Sequence, residues 1–145
     1  MADAAAIARQ NIDAYNTADW GRLKAVLTPG ATYEEFGTQR RLGVDETLEA
    51  NKDWKRSFPD STGTITKSFS AGDHAVLEVN WKGTHTGELR GPQGTIPPTG
   101  KRVDLKAVQV VRVEGDKIAE VRHYFDLMTL LQQIGAIPTP AGAGS

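Results

Sequence analysis

Residues 103–134 decide the fold: VDLKAVQVVRV (103–113), EGDK (114–117), IAEVRHYF (118–125), Asp126, and LMTLLQQI (127–134). In the first segment Val103, Leu105, Ala107, Gln109, Val111 and Val113 alternate with Asp104, Lys106, Val108, Val110 and Arg112. Side chains of a strand point to opposite faces at a period of two, so the spacing predicts a long strand with one more apolar face. Glu114-Gly115-Asp116-Lys117 predicts a hairpin turn into a last strand, Ile118–Phe125. Asp126 then reads as the start of a short closing helix, Leu127–Ile134, with Gly135 past its end.

Working outward, His74–Thr86 alternates in the same way, with Ala75, Leu77, Val79 and Trp81 against Val76, Glu78, Asn80 and Lys82. Gly72-Asp73 is a turn, and Thr64–Phe69 before it is a further strand. Upstream of Thr62 the period becomes helical. Ala4, Ile7, Ala8, Ile12 and Tyr15 predict a helix over 4–16, started by Asp3. Asp19 starts a second, Trp20–Leu27, which Pro29-Gly30 stops. Val44, Leu48, Asn51, Trp54 and Phe58 share one face of a third, about 44–57, ended by Pro59-Asp60. Ala31–Phe36 is a short strand, Gly91–Gly100 a loop, and Pro138–Ser145 a disordered tail after a single domain of residues 1–137. Three N-terminal helices, an antiparallel meander and a short C-terminal helix give an α+β fold. Its curved, mostly antiparallel sheet wraps the helices and leaves a pocket at the open end.

The 145 residues carry 17 Lys+Arg and 18 Asp+Glu, a net charge of −1. That balance lacks the basic footprint of a nucleic-acid or anionic-membrane partner. The chain has no cysteine, which excludes disulfides, thiol catalysis and cysteine-ligated metals. No apolar run approaches a membrane span, and MADAAAIARQ at the start is no signal-peptide core. A cytoplasmic location is the expectation. His74, His85 and His123 lack the spacing of metal ligands, and no metal or other cofactor is expected.

The chemistry is sought in polar residues on apolar stripes, because a buried polar group is costly without a partner. Asn51 interrupts the third helix's stripe, as a cavity residue or a boundary amide bonded to a backbone carbonyl. Tyr15 ends the first helix's stripe, as a core aromatic or a phenol reaching the pocket. Gln109 sits beside small Ala107, as a cavity wall or an outward residue. His85, in Gly83-Thr84-His85-Thr86-Gly87, is a ligand donor or an ordinary strand-end residue. Asp126 is a helix cap, a catalyst, or both. Trp54, Trp81, Phe58 and Tyr124 add aromatic surface suited to a flat apolar ligand. Glu34 and Glu35, at a strand end, are most simply solvated.

A resemblance joins these readings. Gly83-Thr84-His85-Thr86-Gly87-Glu88, Pro97-Pro98-Thr99-Gly100-Lys101-Arg102-Val103, Arg112–Glu120, His123-Tyr124-Phe125-Asp126 and Leu130–Gly135 resemble the SnoaL-like polyketide cyclase family. That family belongs to the nuclear transport factor 2-like, or ketosteroid isomerase-like, superfamily. Tyr15–Trp20 and Phe58-Pro59-Asp60 fit it more loosely. The resemblance implies a cone-shaped α+β barrel, a homodimer through the sheet, and aldol ring closure without cofactor. It implies Asp126 as general acid/base, with Tyr15 and Asn51 in the pocket. Limonene-epoxide-hydrolase-like enzymes share the Tyr-Phe-Asp-Leu ending, but their Arg-x-Asp pair falls on Asn80 and Lys82 here. Ketosteroid isomerases place a base near Glu34-Glu35, one of which could point inward, yet their acidic partner cannot be placed on this sequence.

The expectation is thus an enzyme that moves a proton next to a carbonyl of a small hydrophobic ligand. Asp126 is its catalytic residue, and Tyr15, Asn51, Trp54, His85, Gln109 and Tyr124 bind the substrate. The alternative is a non-catalytic small-ligand-binding or dimerisation module of the same fold.

Overall fold

The alternation that opens the sequence reading becomes the centre of a six-stranded sheet in the computed structural model, which describes residues 3–91 and 94–137. Helices α1 (Ala4–Asn16) and α2 (Trp20–Ala25) come first. Strands β1 (Leu27–Glu35) and β2 (Arg40–Leu42) follow, then α3 (Val44–Ser57). The second half holds β3 (Thr62–Ala71), β4 (His74–Thr84), β5 (Leu89–Gly91), β6 (Gly94–Ile96), β7 (Arg102–Glu114) and β8 (Lys117–Phe125), closed by α4 (Leu127–Gln133). The large sheet has the order β2-β1-β8-β7-β4-β3, and β5 and β6 pair separately. Every pairing is antiparallel except β1 with β8. The α+β class and the mostly antiparallel sheet match the sequence reading.

Period-two patterning decides which side chains enter. Along β7, residues 103, 105, 107, 109, 111 and 113 are buried, while 104 and 106 are exposed. Ile7 and Ile12 of α1 pack on Leu77, Val111 and Val121 of the sheet. A second cluster joins Phe58, Leu89, Val103 and Leu105 to Leu130 and Ile134 at the chain's end. Cross-strand register sets Gln109 opposite both Leu77 and His123, and sets Glu35 beside His123. Gly63 lies opposite Trp81, and a Cβ there would sit 2.7 Å from the indole. The bare glycine backbone is what lets Trp81 lie against β3.

Several boundaries differ from expectation. The second helix ends at Ala25 rather than Leu27, because the chain enters β1 directly. Pro29 and Gly30 then fall in an irregular stretch of the β1–β8 pairing between Leu27 and Thr32. Irregular pairing tolerates a residue with no N–H to donate. Strands β2, β5 and β6 span three residues each, too short for any periodicity to mark them. The tail 138–145 lies outside the described residues. Among those described, no helix is long and apolar enough to cross a membrane.

Candidate functional site

A partly open cavity of about 80 Å³ lies between α1, α3 and the inner face of the sheet. Its walls are aromatic and apolar: Tyr15, Trp54, Phe58, Trp81, Leu105 and Phe125. Asn11, Asn51, Gln109, Tyr33 and His123 also line it. Concave apolar surface with a few polar groups is the usual form of a small-ligand site.

The polar end of the cavity hangs from one carboxylate. Ala31, Tyr33 and Glu35 alternate inward along β1, and Glu35 is fully buried. Its Oε2 accepts from Tyr33 Oη at 2.6 Å and from Trp54 Nε1 at 3.0 Å. Its Oε1 accepts from Thr38 Oγ1 at 2.5 Å and from Arg40 Nε at 2.9 Å. Burial alone would raise the Glu35 pKa; the Arg40 charge and the hydrogen bonds overcome it and hold the carboxyl below its ordinary value. Glu35 therefore stays ionised and can only accept hydrogen bonds.

That restriction propagates. Tyr33 must donate its hydroxyl proton to Glu35, so its oxygen accepts from His123 Nδ1, 2.8 Å away. His123 then carries its proton on Nδ1 and leaves a lone pair on Nε2. Burial pushes the His123 pKa down to about 4, against an upward pull from Glu35, so the ring is neutral at pH 7. His123 Nε2 is buried and has no hydrogen-bond partner, and so is Trp81 Nε1. The two rings line the same cavity with centroids 6.0 Å apart.

Of the seven residues read from sequence as catalytic or substrate-binding, four line this cavity: Tyr15, Asn51, Trp54 and Gln109; the aromatic residues Phe58 and Trp81 line it too. Tyr15 shares a hydrogen bond with Ser61 Oγ at 2.6 Å, and burial pushes its pKa up to about 12. Its phenol is thus held rather than free. Asn51 Nδ2 donates to Thr47 O at 2.8 Å, which leaves Oδ1 for a ligand. Gln109 Oε1 accepts from Asn11 Nδ2 at 2.7 Å, which leaves its amide N–H groups for one.

Three do not line it. Asp126 is exposed and caps α4, accepting from Met128 N at 3.1 Å and Thr129 Oγ1 at 2.6 Å. The Thr129 bond holds its carboxyl below the ordinary range, so it lacks the desolvation that would make it a useful base. His85 is fully buried behind Phe58, with ring centroids 5.3 Å apart and Nδ1 3.0 Å from Thr99 Oγ1. It fastens the segment before β7 and does not reach the cavity. Tyr124 points from the opposite face of β8, where it stacks on Phe36 at 4.3 Å. On β8 the parity that brings His123 inward sends its neighbour out.

Of the pair Glu34-Glu35, whose simplest reading is solvation, Glu35 is the one that points inward and is fully buried. Tyr33 and His123 were not singled out. The signal was present in the alternation Ala31-x-Tyr33-x-Glu35 and in Ala119-x-Val121-x-His123-x-Phe125, which set all three on inward faces. Among the described residues no cluster of three or more His, Asp and Glu could hold a metal ion.

The family model for SnoaL-like polyketide cyclases matches residues 5–134. None of the curated proteins matches the chain. Among solved structures the chain is similar to AclR, a candidate hydroxylase from Streptomyces galilaeus, with 20% identity and a TM-score of 0.81 over 96% of this chain and 85% of that one. IdmH, a candidate polyketide cyclase from Streptomyces antibioticus, gives 24% and 0.79 over 91% and 98%. A protein of ketosteroid isomerase-like fold from Catenulispora acidiphila, in complex with trimethylamine, gives 21% and 0.75 over 92% and 97%. At these identities the structural likeness speaks to the fold.

The buried imidazole predicts a pH effect. Between its ordinary pKa of 6.5 and its folded value of about 4, the unfolded chain binds a proton that the folded one refuses. The contribution of His123 to stability is therefore full above pH 6.5 and is lost as pH falls toward 4. Denaturant unfolding of the parent and of His123→Phe at pH 7 and pH 4.5 measures it. The parent should lose about 2 kcal/mol more than the variant on acidification. Equal losses would show that the ring is not held neutral.

Proposed function

The chain belongs to the SnoaL-like polyketide cyclase family, and on that premise we propose that it moves a proton on a small, flat, apolar carbonyl compound, without a cofactor, using His123 as the acid/base. The observation that carries this reading is the buried, unpartnered lone pair of His123 Nε2 on a ring that lines an aromatic cavity. Nε2 takes a proton from the carbon next to the carbonyl. The electron pair of that C–H bond moves into the enolate, whose oxygen accepts from Trp81 Nε1–H or the Gln109 amide. Such fixed donors in a water-poor site contribute a few kcal/mol. The imidazolium that forms is stabilised through Tyr33 by ionised Glu35. In a ring closure the enolate carbon attacks a second carbonyl, and His123 returns its proton to the new alkoxide. A group with a pKa of about 4, the upward pull of Glu35 included, is a weak base, so the donors on the enolate oxygen must carry most of the stabilisation.

Asp126 is not needed in this scheme. Its role as cap accounts for both of its hydrogen bonds. Deuterium exchange into 2-indanone in heavy water, followed by proton NMR, separates the two carboxylate-or-imidazole readings. The parent should accelerate exchange. His123→Gln should lose roughly 10²–10⁴ of that rate, and Asp126→Asn should keep it. Loss in Asp126→Asn with retention in His123→Gln would return the role to Asp126. Binding of the ketone with no exchange by the parent would favour the non-catalytic binding module.

We also propose a homodimer through the outer face of the sheet. Val76, Val108 and Val110 are half-buried there, between Glu78, Lys106 and Arg112. A self-complementary patch of mixed charge around an apolar stripe suits a two-fold interface. Light scattering should give twice the chain mass at micromolar concentration. A monomer mass at every concentration would contradict it.

A further inference from the structure

Trp54 separates two cavities. It lines the one already described, and it also lines a second, of about 480 Å³, between α3, the β5–β6 pair and α4. That volume falls within the roughly 300–1,000 Å³ of small-molecule sites. The apolar wall is Leu89, which is buried, with Ile96, Leu127 and Leu131, each half-buried and with surface left to cover. The charges on this cavity do not balance. Arg40 lines it and is answered by Glu35, whose Oε1 lies 2.9 Å from Nε. Asp53 lines it and is answered by Arg56 at 2.6 Å. Arg90 lines it too, is exposed, and pairs with no carboxylate among the described residues. One positive charge is left over.

We propose that this second cavity binds a small amphipathic monocarboxylate, with its carboxylate on Arg90 and its hydrocarbon body along Leu89, Ile96, Leu127 and Leu131. The exposure of Arg90 puts the charged head at the rim, where it keeps its water while the body leaves solvent. A single negative charge balances the site, and a doubly charged phosphate would overshoot it. The planar guanidinium fork matches a carboxylate through two parallel N–H···O bonds. An ammonium head would face Arg90 as a like charge. A neutral alcohol would cover the same wall but leave the arginine unanswered. The site does not rest on the proton-transfer reading, because Leu89, Arg90, Ile96 and Leu131 line the second cavity and not the first. The two are joined at Glu35. Three of its four donors, Thr38, Arg40 and Trp54, also line the second cavity. A ligand seated there is therefore felt at the Trp54 indole N–H, which donates to Glu35 at 3.0 Å.

Proton–nitrogen NMR titrations at pH 7 with hexanoate, hexanol and hexylammonium test this on the whole chain. Hexanoate should bind about tenfold tighter than hexanol, the size of one hydrogen bond to a charged group, and hexylammonium should bind weakest. The indole signal of Trp54 should move with hexanoate. That of Trp81, which lines only the first cavity, should stay. In Arg90→Gln, a change at an exposed side chain, the preference for hexanoate over hexanol should fall below about twofold. No saturable hexanoate binding, equal binding of hexanoate and hexanol, an undiminished preference in Arg90→Gln, or a Trp81 signal that moves along with Trp54 would each overturn the proposal. Failure here with deuterium exchange into 2-indanone intact removes the second site alone. Hexanoate binding without exchange removes the proton-transfer function alone.

Discussion

The polar end of the cavity depends on the burial of Glu35. An ionised carboxylate taken out of water costs several kcal/mol unless its oxygens are fully occupied. Here four donors occupy them, from Tyr33, Thr38, Arg40 and Trp54. The short strand β2 exists to bring Arg40 opposite Glu35 in the pairing with β1. Trp54 is turned by the same carboxylate, so one wall of the cavity is fixed from behind by a hydrogen bond rather than by packing alone. Tyr33 is left a single role, to donate to Glu35 and accept from His123. Each link removes a choice from the next, and the chain ends at a buried nitrogen lone pair on a ring that lines an apolar hollow.

The fold supplies what this chain of bonds requires. Parallel pairing of β1 with β8 sets Glu35 and His123 side by side, although 88 residues separate them in sequence. Antiparallel pairing of β7 with β8 sets Gln109 opposite His123. Close approach at Gly37 lets Phe125 close one side, since a Cβ there would sit 2.3 Å from its ring. The same end of β8 makes Asp126 a cap. It starts α4, and Leu130 of that helix closes the apolar wall. Asp126 thus shapes the cavity from outside it.

Much of this was legible in the sequence, in proportion to the length of the pattern. The thirteen residues of β7 and the alternation of β4 define their faces, and Gln109 follows from them. The stripe of α3 sets Asn51 and Trp54 on the face that lines the cavity. The burial of Glu35 is not legible because an acidic pair at a strand end is usually wet, and the compensating arginine lies across a hairpin on the three-residue strand β2. His123 was passed over because a lone histidine on an apolar face is ordinary until its partners are known. Tyr124 was drawn to the cavity by its aromatic neighbours, against the parity of its own strand. Asp126 followed the family resemblance, whereas its local sequence already described a cap.

The central claim is that Glu35, acting through Tyr33, fixes the proton of His123 on Nδ1 and leaves Nε2 without a proton or a partner. Nitrogen-15 NMR of the His123 imidazole at pH 7 measures this directly. The account predicts a neutral ring with a protonated Nδ1 and an unprotonated Nε2. A ring protonated on Nε2, whether as the other tautomer or as an imidazolium, would contradict it.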